Sequence, residues 1–211
     1  MPAAYSPELA ELFGILLGDG SVETYFTKVY LNRVVDKPYV SFVFKLCKRL
    51  FPKASVTRYD RPAKGVVEVQ ISSKAVSDYL FSIGFKPKER TVPAWISSNV
   101  PFTKRTLRGL FDTEGSVSFK FYRGALGDTF YRQLTCTNSN KNILSFLEKK
   151  LTLLGFKPTK NSRKNIYISN RLDIKKFLDD IGSSNPKILR KLRAKNLTEF
   201  RQKVIVQKGN I

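Results

Sequence analysis

Histidine is missing from the 211 residues. Its absence excludes a Ser-His-Asp triad, a His-ligated zinc centre and any nuclease that relies on a histidine base. Hydrolysis by this chain must run on carboxylates, a hard metal ion, lysine or arginine, and water. Cysteine is nearly missing. Cys47 and Cys136 lie far apart with no CxxC spacing, which excludes zinc modules and a disulfide scaffold. A reduced cytoplasmic or organellar setting fits. No apolar run approaches the length of a membrane span, and no charged-then-apolar leader opens the chain. Neither a membrane partner nor secretion is therefore expected.

Acids are scarce as well. Asp plus Glu is 17 against 38 Lys plus Arg, a net charge of +21. The basic excess runs through segments rich in Phe and Tyr, so it belongs to a folded surface. A surface this basic repels itself unless a polyanion is its partner, and nucleic acid is the expected one.

The most informative positive feature is an internal repeat. Leu12–Val22 reads LFGILLGDGSV and Leu107–Val117 reads LRGLFDTEGSV; the two align without a gap, 95 residues apart. The echo continues downstream. VFKLCKRLF (43–51) has a helical counterpart in LSFLEKKLTL (144–153), and VVEVQIS (66–72) a strand counterpart in NIYISN (165–170). VSDYLFSIG (76–84) matches IKKFLDDIG (174–182), and a Pro-Lys pair follows each, Pro87-Lys88 and Pro186-Lys187. Each half therefore reads as helix, two strands, helix, two strands, helix. The expected fold is α+β, with half-domains at 1–98 and 107–211 and a linker at 99–106. Residues 198–211 have no counterpart and are expected to form a closing turn or a basic tail. Two similar halves imply a pseudo-two-fold axis suited to an imperfectly palindromic duplex.

The repeated motif carries chemistry. Gly14 and Gly18 fall on one helical face, as do Gly109 and Thr113. Small residues at this spacing let two helix backbones approach closely, although glycine costs about 1 kcal/mol in a helix. Close packing brings Asp19 and Glu114 together at the helix C-termini, where the dipole is already negative. Two adjacent carboxylates repel unless a cation sits between them. A hard divalent ion is expected, Mg²⁺ first, with Mn²⁺ or Ca²⁺ able to occupy the same place. The carbonyls of Gly18 and Thr113, freed at the helix ends, are candidate further ligands. Such a site inside a basic surface suits phosphodiester hydrolysis of double-stranded DNA. Two acids on a two-fold axis address one phosphate per strand across a minor groove about 6 Å wide, giving a double-strand break with a short stagger.

The paired motifs resemble those of the LAGLIDADG homing endonucleases in their single-chain, two-motif form. That resemblance implies αββαββα half-domains and a saddle of two antiparallel sheets in the major groove. It further implies Mg²⁺-dependent cleavage leaving 3′ overhangs at a long site, with Asp19 and Glu114 as the metal-binding acids. It places catalytic lysines at Lys88 and Lys187 and polar partners at Arg33 and Asn138, with Arg90 and Lys120 as further candidates. Asp112 is not counted as catalytic and is expected to cap the partner helix.

DNA readout is expected from outward strand positions. Ser118, Lys120 and Tyr122 alternate with apolar residues. Arg58, Arg61, Lys64, Gln70, Arg132, Lys160, Arg163 and Lys164 are similar candidates. Two other readings are open. One is a binding-only role, with intron RNA as a maturase partner or as a transcription factor. The other is a restriction-type core at Asp60, Glu68 and Gln70. A free-standing or intron-encoded frame, acting as a monomer, is expected in preference to an intein.

Overall fold

The computed structural model describes residues 1–194 except 3, 125, 126 and 163. Side chains at 121–129 and 161–163 also lie outside the described set, as does the tail expected at 198–211. Helix α1 spans Pro7–Asp19. Ser6 caps it by accepting from the Leu9 amide at 3.1 Å, and Pro7 opens the first turn, the expected start chemistry. Strands β1 (Gly20–Val22) and β2 (Phe26–Asn32) follow, then α2 (Lys37–Leu50), β3 (Ser55–Arg61), β4 (Val66–Ser72) and α3 (Lys74–Ser82). A short α4 (Ala94–Ser97) leads to α5 (Val100–Glu114). The second half then repeats the first with β5 (Gly115–Gly124), β6 (Gly127–Thr137), α6 (Lys141–Leu153), β7 (Thr159–Ser162), β8 (Asn165–Ile168) and α7 (Arg171–Asp180). Helix α8 (Pro186–Arg193) ends the described chain.

The two antiparallel sheets have identical order, β1-β2-β4-β3 and β5-β6-β8-β7. In the first, Val29, Leu31, Val56, Val69 and Ile71 are buried. Cross-strand partners share a face, so the opposite face carries Lys28, Tyr30, Thr57, Tyr59, Arg61, Glu68 and Gln70. In the second, Val117, Leu134, Cys136, Ile166 and Ile168 are buried, and Ser116, Ser118, Lys120, Tyr131, Gln133 and Thr135 take the other side. The fold is the α+β arrangement of two αββαββα halves read from the repeat.

The segment expected as a linker is helical instead. Asn99 accepts from the Phe102 amide at 3.1 Å, and Pro101 lies in the first turn of α5. Thr103 and Thr106 are buried, and Thr106 Oγ1 donates to the Ala10 carbonyl of α1 at 2.9 Å. The polar, Pro-containing run that resembles a linker is a capped helix start pressed against the opposite half.

Helices α1 and α5 touch through their main chains. A Cβ at Gly14 would lie 2.3 Å from the Thr106 carbonyl oxygen, and one at Gly109 2.4 Å from that of Glu11. At Gly18 it would meet Thr113 Oγ1 at 2.1 Å and Glu114 Cγ at 3.2 Å. Neither backbone can yield cheaply. Gly14→Ala and Gly109→Ala are each expected to cost about 1–3 kcal/mol by overpacking and to lower the thermal midpoint by several degrees. Gly65 is the control: its φ is +65° and a Cβ there meets nothing within 4 Å. Asn tolerates that conformation, so Gly65→Asn should change the midpoint little. Calorimetry checks the contrast, and equal effects at all three positions would contradict main-chain contact.

Candidate active site

Asp19 ends α1 and Glu114 ends α5. The approach at Gly18 sets these helix ends side by side. Burial pushes the Asp19 carboxyl up to about 6, helped by the negative charge of Asp36 and opposed by Lys187 and Arg90. Burial likewise pushes Glu114 up to about 7, with repulsion by Asp19 next in weight. Arg90 and a hydrogen bond from Asn138 Nδ2 to Glu114 Oε1, 2.9 Å, oppose that rise. Glu114, brought by the repeat to the end of the neighbouring helix, therefore feels the charge of Asp19 through space.

Arg90 bridges the centre. Its Nη1 donates to the carbonyls of Leu17 at 2.8 Å and Gly18 at 3.0 Å, closing the C-terminal end of α1, and its charge acts on both acids. The Arg90 backbone is left-handed, with φ 49°, a conformation costly for a residue with a Cβ. The Gly18 carbonyl, expected as a free ligand, is thus already engaged. Thr113 donates its hydroxyl within its own helix, to the carbonyls of Gly109 and Leu110.

Lys88, Arg90, Glu114, Asn138, Asn140 and Lys164 line an open pocket of about 560 Å³. Lys88 comes from the first half and Glu114 from the second, so the loop after α3 completes the acid of the other half. The Glu89 carbonyl fixes that loop by accepting from Asn142 Nδ2 at 2.8 Å and Asn140 Nδ2 at 3.2 Å. The arrangement is reciprocal. Lys187, from the second half, lies close enough to Asp19 to oppose its pKa rise, and its Nζ pairs with Asp36 Oδ1 at 2.8 Å.

Several expectations are corrected. Arg33 does not reach the centre; its guanidinium forms an exposed pair with Asp60 at 2.8 Å. Gly20 pairs with Val29 and Gly115 with Cys136, so the counterpart of Asn138 is Leu31, a buried apolar residue. Asp112 does not cap α1. It is buried and pushed up to about 7 by that burial, while Ser183 Oγ and the Ser184 amide donate to it. Asp60 and Glu68 pair with Val67 and Tyr59 respectively. They therefore point to opposite faces of the sheet, and no restriction-type core forms there.

Arg58, Arg132 and Lys160 are not on the open sheet faces. Arg58 shares the face of Val69 and stacks over Phe44 of α2 at 4.4 Å. Arg132 shares the face of Phe119 and donates to the Leu192 carbonyl of α8. Lys160 pairs with Glu148 of α6 at 3.5 Å. Arg61, Gln70, Ser118 and Lys120 are on the open faces, and Lys64 is in the turn before β4. Gln70 is largely covered there and donates to Ser72 Oγ. Lys164 lines the Glu114 pocket. The Tyr122 side chain and Arg163 lie outside the described residues.

Sequence reasoning missed Asp36 and Asn185. Both are buried, and Asn185 Nδ2 donates to Asp36 Oδ1 and to the Asp112 carbonyl, each at 3.1 Å. The Asn-Pro pair at 185–186 is a readable helix start, but nothing in the sequence joins it to Asp36. Nearby, Glu11 of α1 is buried and takes Arg105 Nη1 at 2.9 Å and Ser184 Oγ at 2.5 Å. These bonds tie both halves across the seam.

The donor set is all oxygen: two carboxylates at adjoining helix ends and the surrounding carbonyls. Buried like charges with depressed acidity are what a hard cation relieves, so the residues fit a divalent ion. Among the described residues no cluster of three or more His, Cys, Asp or Glu side chains adds to the pair.

Comparison with known proteins agrees. Residues 102–182 match the family described as a LAGLIDADG-like domain. The homing endonuclease I-DmoI, in complex with DNA and Mn, aligns with a TM-score of 0.60 at 20% identity, over 84% of this chain and 97% of that one. I-WcaI, bound to its DNA recognition sequence, aligns at 0.58 and 16% identity over 88% and 85%. Full-length DUF199/WhiA from Thermatoga maritima aligns at 0.57 and 16% identity, over 98% of this chain and 63% of that one. In sequence, 200 residues are 24% identical to the replication factor C small subunit of Methanocaldococcus jannaschii, covering 89% of this chain. The chain spans 10% of the length of that curated relative. Residues 102–182 thus match a LAGLIDADG-like domain, and the chain as a whole has the two-domain fold of the single-chain homing endonucleases I-DmoI and I-WcaI.

Proposed function

We propose that this chain is a site-specific, divalent-metal-dependent DNA endonuclease. It makes a double-strand break with 3′ overhangs in a long, imperfectly palindromic site, acts as a monomer and is intron-encoded. The observation that carries this reading is the pair of desolvated carboxylates, Asp19 and Glu114, at two helix ends pressed together inside a chain of net charge +21. A bound divalent ion would supply Lewis-acid polarisation of the phosphate and acidify a water. Asp19 and Glu114 would hold it. Lys88 and Lys187 offset charge developing on the phosphates, each beside the acid of the other half. Asn138 orients Glu114, and Arg90 fixes the end of α1. Arg61, Lys64, Ser118 and Lys120 face double-stranded DNA; Gln70, on the same sheet face, is covered and held by Ser72. DNA contacts in I-DmoI and I-WcaI, and Mn, Mg or Ca in I-DmoI complexes, are consistent with this reading.

A randomised plasmid library incubated with Mg²⁺ should yield linearised members, and EDTA should prevent it. Asp19→Asn and Glu114→Gln should each slow cleavage by at least about a hundredfold. Asp60→Asn, whose carboxylate is held by Arg33 away from the centre, should leave cleavage intact. Failure to linearise any target in Mg²⁺, with tight binding to intron RNA, would replace the endonuclease by a maturase.

Acidity and cation binding are linked. Because both carboxyls are raised in the folded chain, it holds more protons than the unfolded chain between about pH 4 and pH 7. Their favourable contribution is therefore present at acid pH and is lost as pH rises through about 6 to 7. Without metal, the thermal midpoint should fall more steeply from about pH 4.5 to 7 in the native chain than in the Asp19→Asn/Glu114→Gln double variant. Millimolar Mg²⁺ should recover the native chain at the alkaline end and leave the double variant unmoved. Parallel pH profiles measured by calorimetry would contradict the coupling.

A further inference from the structure

Asp36 occupies the N-cap of α2, yet its side chain makes no cap hydrogen bond. An Asp at this position ordinarily accepts from the first-turn amides. Asn140, which opens the matching helix α6, does so, accepting from the Asn142 and Ile143 amides. Asp36 instead turns across the seam. Its Oδ1 accepts from Lys187 Nζ at 2.8 Å and Asn185 Nδ2 at 3.1 Å, and its Oδ2 from the Asn32 amide at 3.3 Å. Asp36 is 8% exposed, so its carboxylate is shielded from solvent, while the Lys187 side chain keeps about a fifth of its surface open. A buried carboxylate is stable only when paired and hydrogen-bonded, and here both side-chain donors come from the other half.

The matching place beside Glu114 is built differently. Lys88 is exposed and has no carboxylate partner among the described residues. The polar position filled by Asn138 at Glu114 is filled by Leu31 at Asp19. One half thus holds its lysine before substrate arrives, and the other leaves it to be ordered by the phosphate.

We propose that Asp36 is a positioning residue that clamps Lys187 beside Asp19, so that the two strands of the DNA are served by unequal lysines. This rests on the endonuclease reading for its consequence and on geometry alone for the clamp. Two measurements separate them. In metal-free, DNA-free protein, brief acetylation by an N-hydroxysuccinimide ester followed by mass spectrometry should label Lys187 more slowly than Lys88. Asp36→Asn should raise the labelling of Lys187 severalfold and leave that of Lys88 unchanged. Unchanged Lys187 labelling overturns the clamp whether or not the chain cuts DNA.

The second measurement follows each strand of a cleaved target separately. Lys187→Gln and Lys88→Gln should slow opposite strands. Asp36→Asn should slow the Lys187-dependent strand roughly ten- to a hundredfold, so that nicked product accumulates while DNA affinity holds. Equal slowing of both strands would mark Asp36 as structural only and overturn the proposal. Asp36→Ser, which loses the carboxylate but caps a helix well, should give the same pattern and serves if the Asn variant does not fold. A native chain that cuts neither strand removes the endonuclease reading, and the labelling still decides the clamp.

Discussion

Everything in this fold depends on two helix backbones touching. Side chains normally hold packed helices about 8–10 Å apart, but at Gly14 and Gly109 there is room for none. The contact fixes the relative height of α1 and α5, and so brings their last residues level. Those residues are acids, set where the helix dipoles are already negative and where burial raises both carboxyls. No stability argument accounts for this choice. A chain with 38 basic residues and 17 acidic ones has gathered two of its few acids at adjoining helix ends, an arrangement that fits the divalent cation proposed above.

The repulsion at that centre is offset by groups that cross from one half to the other. Arg90 closes α1 and faces both acids. The Glu89 carbonyl fastens the Arg90 loop to α6, and the 183–185 segment is fastened to α5 through Asp112. Glu11 takes bonds from α5 and from Ser184 together. Each half therefore supplies the basic loop that completes the acid of the other, and neither acid site would be whole within a separated half.

Much of this is legible in the sequence because the repeat doubles every signal. The glycine face and the acid appear twice at an offset of 95, and the helix-strand order recurs in the same sequence behind each. The site's surroundings are less legible, for physical reasons. Charge assigns Arg58 and Arg132 to DNA, although alternation from Val56 and from Leu134 places both on the helix-packed face. Long basic side chains can leave that face and stack or bond at its rim, so charge alone misleads. Arg33 is misplaced by an alignment with Asn138 that is off by two residues, which only the pairing of Gly20 with Val29 reveals. Asp36 and Asn185 are hidden because their bond joins residues 149 apart in sequence, and no local pattern encodes a contact of that range.

The two halves share a scaffold more strictly than they share a site. Strand order and motif helices are the same in both, while the places around the acids have diverged: Leu31 against Asn138, and Asp36 against Asn140. The backbone is constrained by the shared helix contact, since any change there meets main chain. The side chains bordering the acids are buried too, but Asn138 and Asp36 meet other side chains, Glu114 and Asn185, which can change together with them. A symmetric frame with an asymmetric centre is the expected outcome of these unequal constraints.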